Sequence, residues 1–154
     1  MLTLNGENFT TGRARFLDRL PADPEATSKI YIKVRPGDLQ TTLLAQLDTG
    51  SPWSVLDPEV ADAVGLFELA GEPKRLSGHG YTFDGHLIRV PVLILADEGD
   101  SLEVDAVVFV SKDWPPGKNF VGYSGLLEAI RVALDPQANY FYFGAGYQSQ
   151  SSFA

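Results

Sequence analysis

The chain has 154 residues, about the length of a single domain. Its 12 Lys and Arg residues against 20 Asp and Glu residues give a net charge of −8, which argues against nucleic-acid binding because phosphate neutralisation needs a basic face. Cysteine is absent, and the two histidines, His79 and His86, have a spacing that fits no zinc site, so we expect neither a metal nor a cofactor.

The sequence contains no apolar run near the ~18 residues that a membrane span requires. Residues 1–7 lack the basic and apolar regions of a secretory signal. Together with the absence of cysteine, these features predict a cytoplasmic protein that does not bind membranes.

The chain divides into three predicted segments. Residues 1–26, with an Asn5-Gly6 turn and two prolines, are expected to form an arm or short edge element outside the core. Residues 27–144 are predicted to form one domain. Residues 145–154 are rich in Gly, Gln and Ser and are predicted to be a flexible tail.

Most of the central segment carries strand patterns. Alternating and β-branched runs predict a hairpin from 30–34 and 41–47, strands over 87–95 and 104–110, and a last hairpin from 131–134 and 140–143. The four aromatic residues at 140–143 fit a core strand and an interface strand equally well.

Two short helices are predicted. Asp57 caps the first, with Pro58 at its first position and Gly65 at its end. Ser124 is expected to cap the second, which runs through Leu126, Leu127 and Ile130. Many short strands with one or two short helices predict a mainly β protein with a closed or partly closed β barrel.

A lone carboxylate follows an apolar strand directly, in the tetrapeptide Asp48-Thr49-Gly50-Ser51. Burying a carboxylate is costly unless it is paired or hydrogen bonded, which makes Asp48 a candidate catalytic group. Asp and Gly are also ordinary turn residues, so these four residues alone are equally consistent with a simple turn.

Two later segments bear on this choice. The stretch Ser77-Gly78-His79-Gly80-Tyr81 is typical of a glycine-hinged flap over a cleft, although a plain hairpin turning at Asp84-Gly85 is an alternative. The stretch Phe120-Val121-Gly122 is a hydrophobic pair followed by glycine, and its simplest interpretation is a strand end before the Ser124 helix.

Together and in this order, these three motifs resemble the retropepsin-like aspartic proteases, the single-lobe family that includes the retroviral proteases. The resemblance covers residues 30–144 and implies an acid-protease-type barrel with one lobe per chain. Residues 53–56 and the closing hairpin at 132–135 also resemble bacterial members. Tyr123 departs from the pattern, since many relatives carry Arg or Met after the glycine, and His79 is an unusual polar residue at the flap tip.

The resemblance implies an aspartic endopeptidase with Asp48 as its catalytic residue. In such enzymes two carboxylates about 3 Å apart share one proton. The ionised one activates a water molecule and the protonated one polarises the scissile carbonyl. The chain carries only one such tripeptide, so Asp48 must meet Asp48 of a second copy, which predicts a homodimer acting on a peptide or protein substrate.

The neighbouring motif residues receive supporting roles from the same resemblance. Thr49 is expected to hydrogen bond across the dimer axis, and Gly50 lets the backbone approach the carboxylates. Ser51 is expected to donate to Asp48, which predicts an acid-shifted pH optimum. The alternative function is a retropepsin-fold module that binds peptides or supports assembly without turnover.

Overall fold

A computed structural model describes residues 1–78 and 80–147 of the chain. These residues form thirteen strands: β1 (Thr3–Leu4), β2 (Glu7–Asn8), β3 (Gly12–Arg15), β4 (Tyr31–Pro36), β5 (Leu43–Leu47), β6 (Ser54–Leu56), β7 (Glu72–Gly78), β8 (Tyr81–Ile94), β9 (Glu98–Gly99), β10 (Leu102–Val110), β11 (Phe120–Val121), β12 (Ile130–Asp135) and β13 (Tyr140–Ala145). In the same residues lie one α-helix, α1 (Pro58–Ala63), and two short 3-10 helices at Leu66–Glu68 and Leu127–Ala129.

Six strands close a barrel in the order β10-β6-β11-β5-β4-β8, because β8 also pairs with β10. That closing pair is antiparallel and extends from Leu102–Ile94 to Val110–His86. The short strand β11 lies parallel to β5 and antiparallel to β6. The predicted mainly β fold with a closed barrel is therefore confirmed, and so is the predicted β4–β5 hairpin.

The core consists of two clusters. Alternation along β8 and β10 directs Val92, Ala106 and Val108 into the main cluster, which fills the barrel. The second cluster, built on Phe109 and Trp114, packs β7 and the outer part of β8 against the barrel wall. The β7–β8 hairpin is therefore attached to the barrel through these side chains.

A second sheet, in the order β12-β13-β3-β9, covers one side of the barrel. On β13, Phe141 and Phe143 are fully buried in the main core. Tyr140 and Tyr142 lie on the opposite face, where the Arg13 guanidinium is 4.1 Å from the Tyr140 ring centroid. Two of the four aromatic side chains on β13 therefore belong to the core.

The expectation that residues 1–26 lie outside the core is wrong for β3. This strand pairs with both β13 and β9, and Ala14 and Phe16 are buried in the main cluster. Small and aromatic residues at 12, 14 and 16 face the core, while Arg13 and Arg15 alternate with them on the outer face. This alternation of small or aromatic residues with arginines is a strand pattern, but the arginines made the segment look too polar to belong to the core.

The first predicted helix is confirmed, since Asp57 Oδ1 accepts a hydrogen bond from the Val60 N–H at 2.8 Å. The second prediction is wrong: residues Leu127–Ala129 form one 3-10 turn without a side-chain cap, and Ile130 begins β12. Gly125 has a φ of +78°, which breaks the helix that the apolar spacing suggested.

No helix among the described residues is long and apolar enough to cross a membrane. Of the segment predicted as a tail, residues 148–154 lie outside the described residues.

Asp97 joins the second sheet to the barrel. Its carboxylate accepts hydrogen bonds from the Arg15 backbone N–H at 2.8 Å and from the Lys33 ammonium at 2.9 Å. Burial raises the pKa of the Asp97 carboxyl, but these two donors outweigh it, so the pKa lies below its ordinary value.

The substitution Asp97→Asn is expected to lower the free energy of unfolding at pH 7 by about 0.5 kcal/mol, a small figure because solvent screens this pair. A lowered folded pKa means that the stabilisation is present above the unfolded pKa of about 3.9 and is lost as the pH falls through the folded value. Urea unfolding of both proteins between pH 2 and 7 measures this, with Asp38→Asn as the control. A difference that does not shrink at low pH would contradict the assignment.

Candidate active site

Asp48 lies at the point where β5 leaves the barrel, and backbone groups hold it from two sides. Its N–H donates to the Val121 carbonyl at 2.9 Å, and the Ser51 N–H donates to the Asp48 carbonyl at 3.1 Å. The Gly50 N–H donates to Asp48 Oδ1 at 2.9 Å. The side chain is half-buried. Asp48 is thus part of a tight turn and is also the candidate catalytic group, because the turn orients its carboxylate.

The other loop residues differ from expectation in one respect. The Ser51 hydroxyl donates to the Trp53 carbonyl at 2.8 Å, so the expected bond from Ser51 to Asp48 is not formed. The bond to Trp53 instead links the Ser51 side chain to the backbone two residues further along the same loop. Thr49 is exposed, and its hydroxyl forms no hydrogen bond within the described residues.

The Phe120-Val121-Gly122 motif lies directly beside this loop. Phe120 and Val121 form β11, and the Gly122 N–H donates to the buried Ser54 Oγ at 2.9 Å. A Cβ at Gly122 would collide with the Trp53 carbonyl, so only glycine fits. The motif therefore braces the Asp48 loop from behind, and neither Val121 nor Gly122 lines the cavity described below.

The predicted flap is a two-stranded hairpin of β7 and β8, called here the flap hairpin (residues 72–85). Gly78 pairs with Tyr81 across the turn, and Gly80 has a φ of +80°, a value that strongly favours glycine. Asp84 and Gly85 pair with Arg75 and Lys74 within the ladder, so the alternative turn at that site is wrong.

The residues at the hairpin tip differ in what they reach. Tyr81 is 71% exposed and lines the cavity that contains Asp48. The Ser77 Oγ lies 3.4 Å from Thr82 Oγ1 across the hairpin, and Ser77 is not among the residues that line the cavity. His79 lies outside the described residues.

A cavity of about 350 Å³ opens between the Asp48 loop and the flap hairpin. Four aromatic side chains form its walls: Tyr81, Phe83, Trp114 and Phe120. The Trp114 ring packs edge-on against Phe83 at 4.7 Å and against Phe120 at 6.1 Å between centroids. Such a mostly apolar cavity with one convergent carboxylate has the character of a ligand site.

Two lysines, Lys29 and Lys118, also line this cavity. Sequence reasoning did not select them or Trp114, because they come from separate loops and no spacing pattern links them. The closeness of Trp114 to the Phe120 motif along the sequence is the one feature that could have indicated its place in the cavity.

The loop that carries Trp114 and Lys118 depends on a buried polar cluster. Asp57 Oδ2 accepts the Gly117 N–H at 2.8 Å and the Asn119 amide at 3.3 Å, while Asn119 Oδ1 accepts the Asp57 N–H at 2.8 Å. The Trp114 indole N–H donates to the Lys118 carbonyl at 2.7 Å. The cap of α1 thereby also holds one wall of the cavity.

A larger groove of about 980 Å³ lies on the other side of the flap hairpin and does not include Asp48. Within it, Arg75 and Asp84 form an ion pair at 2.8 Å, and Arg75 lowers the pKa of the Asp84 carboxyl. Both side chains of this pair are largely exposed. The smaller cavity, with its half-buried carboxylate, is therefore the candidate active site.

A closed barrel with one carboxylate loop and an overhanging hairpin defines a retropepsin-like fold, as the sequence motifs predicted. A retropepsin-like aspartic protease from Rickettsia conorii has a similar crystal structure, with a TM-score of 0.55 and 17% sequence identity over 85% of this chain and 98% of that chain. The retroviral protease-like domain of Ddi1 from Leishmania major gives 0.49 and 18% over 79% and 96%.

No protein-family model matches the sequence, and no curated protein matches it. At these identities the structural likeness establishes the fold. The chemistry of the site therefore has to be argued from its own residues.

The substitution Asn119→Ala is expected to lower the free energy of unfolding by about 2 kcal/mol, because it leaves the buried Asp57 N–H without its acceptor. Urea unfolding followed by tryptophan fluorescence measures the loss. The control is Gln40→Ala, which removes an exposed amide and is expected to change stability by less than about 0.5 kcal/mol. Equal effects of the two substitutions would contradict a structural role for the buried cluster.

Proposed function

We propose that this protein is an aspartic endopeptidase that works as a homodimer, with Asp48 from each copy forming the catalytic dyad. The observation that carries the proposal is the setting of Asp48. Its carboxylate is held by the Gly50 N–H at the end of a barrel strand, lines a cavity of about 350 Å³ and lies beneath a flap hairpin. A fixed carboxylate in a partly enclosed peptide-sized cleft suits water activation.

The dimer follows from the chemistry of the dyad. Asp48 is the one acidic residue among the described residues that line this cavity, whereas hydrolysis by this mechanism needs a second carboxyl group about 3 Å away. A second copy related by a twofold axis supplies it with the same loop in the same conformation. The exposed Thr49, with a hydroxyl free of partners in the described chain, supports its proposed contact across the axis.

In the dyad, one Asp48 takes a proton from water while the other, protonated, donates to the scissile carbonyl. The two then exchange roles: the first gives its proton to the departing amine, and the second takes one from a hydroxyl of the tetrahedral intermediate. Because water is the nucleophile, no bond forms between the substrate and the enzyme. Because the dyad needs exactly one proton, we propose that activity is highest at acid pH and falls above neutrality. The Gly50 N–H, rather than the Ser51 hydroxyl, orients the carboxylate.

The substitution Asp48→Asn is expected to reduce cleavage of a denatured protein mixture at pH 3–8 by at least ~10³-fold, because it removes the base and acid together. Mass spectrometry of the products measures cleavage, and circular dichroism and sedimentation show whether fold and dimer persist. The control Asp38→Asn makes the same change in an exposed turn and should retain activity.

If the wild-type protein and Asp48→Asn behave identically, the enzyme proposal is wrong. The alternative, a module that binds peptides or supports assembly without turnover, would then account for the fold.

The substitution Thr49→Val is expected to raise the protein concentration for half-maximal activity by about tenfold, because each dimer loses two hydrogen bonds at its axis. Activity measured over a dilution series, together with sedimentation equilibrium, tests this. Thr41→Val, in an exposed connection, is the control. An unchanged concentration dependence would remove Thr49 from the interface.

A further inference from the structure

We propose that the Asp48 cavity selects peptides with an acidic side chain, glutamate in particular, beside the bond that is cleaved. The inference rests on the proposed function for the identity of that bond. Its physical basis is a local excess of positive charge in the cavity of a chain whose net charge is −8.

The charges that line the cavity are few. Lys29 and Lys118 contribute two ammonium groups, and Asp48 contributes one carboxylate. No other Asp, Glu, Lys, Arg or His is found among the described residues that line it. Two cations against one anion give the cleft a sign opposite to that of the whole protein, and a concave site with aromatic walls focuses such a field on its contents.

Neither ammonium is neutralised within the part of the chain that the structure describes. The salt bridges found there use other cations, namely Arg13, Arg19, Lys33, Arg75 and Arg89. Lys29 and Lys118 therefore remain available to a ligand. In the proposed dimer they would also outnumber the single negative charge of the dyad, so an acidic substrate would not be repelled.

Both lysines extend from anchored backbone. The Lys118 carbonyl accepts the Trp114 indole N–H at 2.7 Å, and the adjacent Gly117 N–H is bound to the buried Asp57 carboxylate. Lys29 precedes Ile30, whose carbonyl accepts the Leu47 N–H at 2.8 Å, one residue before Asp48. A fixed backbone reduces the ordering cost when a ligand engages these side chains.

The walls suit the remainder of a glutamate side chain. Trp114 and Phe120 offer apolar surface against which its methylene groups pack, while the carboxylate reaches the ammonium groups. A volume of about 350 Å³ accommodates one such side chain together with adjoining backbone. Glutamine has the same shape without the charge, so the pair isolates the electrostatic contribution.

The test compares three synthetic peptides that are identical except for Glu, Gln or Lys after a central Phe. With the full chain at limiting substrate and at about pH 6, where a free Glu side chain is ionised, kcat/KM is expected to be about fivefold higher for Glu than for Gln and lowest for Lys. This is the size expected for exposed charge pairs. The preference should weaken between 0.1 and 1 M salt as the Debye length falls from about 10 to about 3 Å.

Variants of the cavity lysines test whether these two residues cause the preference for the Glu peptide. Lys118→Glu is expected to invert the order of the Glu and Lys peptides, and the double variant Lys29→Met, Lys118→Met to abolish the Glu preference. Lys112→Met removes the same charge from the other groove and should leave the preference intact. Equal rates for Glu and Gln in the wild type, or an unchanged preference in the double variant, would overturn the inference.

Failure of the proposed function gives a different result. If the wild type cleaves no peptide, binding of the same peptides is followed by its tryptophan fluorescence. Tighter binding of the Glu peptide, lost in the double variant, would support an acidic-peptide site without catalysis, and equal binding would overturn it.

Discussion

The candidate site depends on one arrangement of the backbone, the insertion of β11 between β5 and β6. The Asp48 N–H is bound to the Val121 carbonyl, so the carboxylate loop is an extension of that parallel pairing. A shift of one residue in this register would reverse which face each side chain occupies and remove Asp48 from the cavity. The same strand pairing therefore closes the barrel and orients the carboxylate. Gly122 is required for this pairing because a Cβ at that position would have no space.

Local signals in the sequence were sufficient for much of this fold. Asp57 followed by Pro58 defines a helix start through short-range geometry alone, and the alternating segments on either side of residues 37–40 define the β4–β5 hairpin. The order of the three motifs along the chain also predicted the retropepsin-like fold. Their order restricts which strands can be neighbours, even though no single motif does.

Features that depend on distant residues were not predictable. Phe16 belongs to the core because β3 pairs with β13, and nothing near Phe16 indicates that partner. The Ser124 segment has helical spacing, but its apolar residues are buried by the barrel and Gly125 takes a left-handed conformation. Lys29 and Lys118 meet in one cavity only after the barrel closes. Tertiary packing determined the structure at each of these points.

The long strand β8 belongs to two substructures, the barrel and the flap hairpin. Residues 86–94 of β8 pair with β10, whereas residues 81–85 pair with β7 and not with β10. At the junction, the Ser111 hydroxyl donates a hydrogen bond to the Asp84 carbonyl. The backbone ladder that closes the barrel therefore ends where the flap hairpin begins. The backbone bonds that close the barrel and those that form the flap hairpin are consequently largely separate sets, and the packing of side chains such as Phe83 against Trp114 is what connects the two.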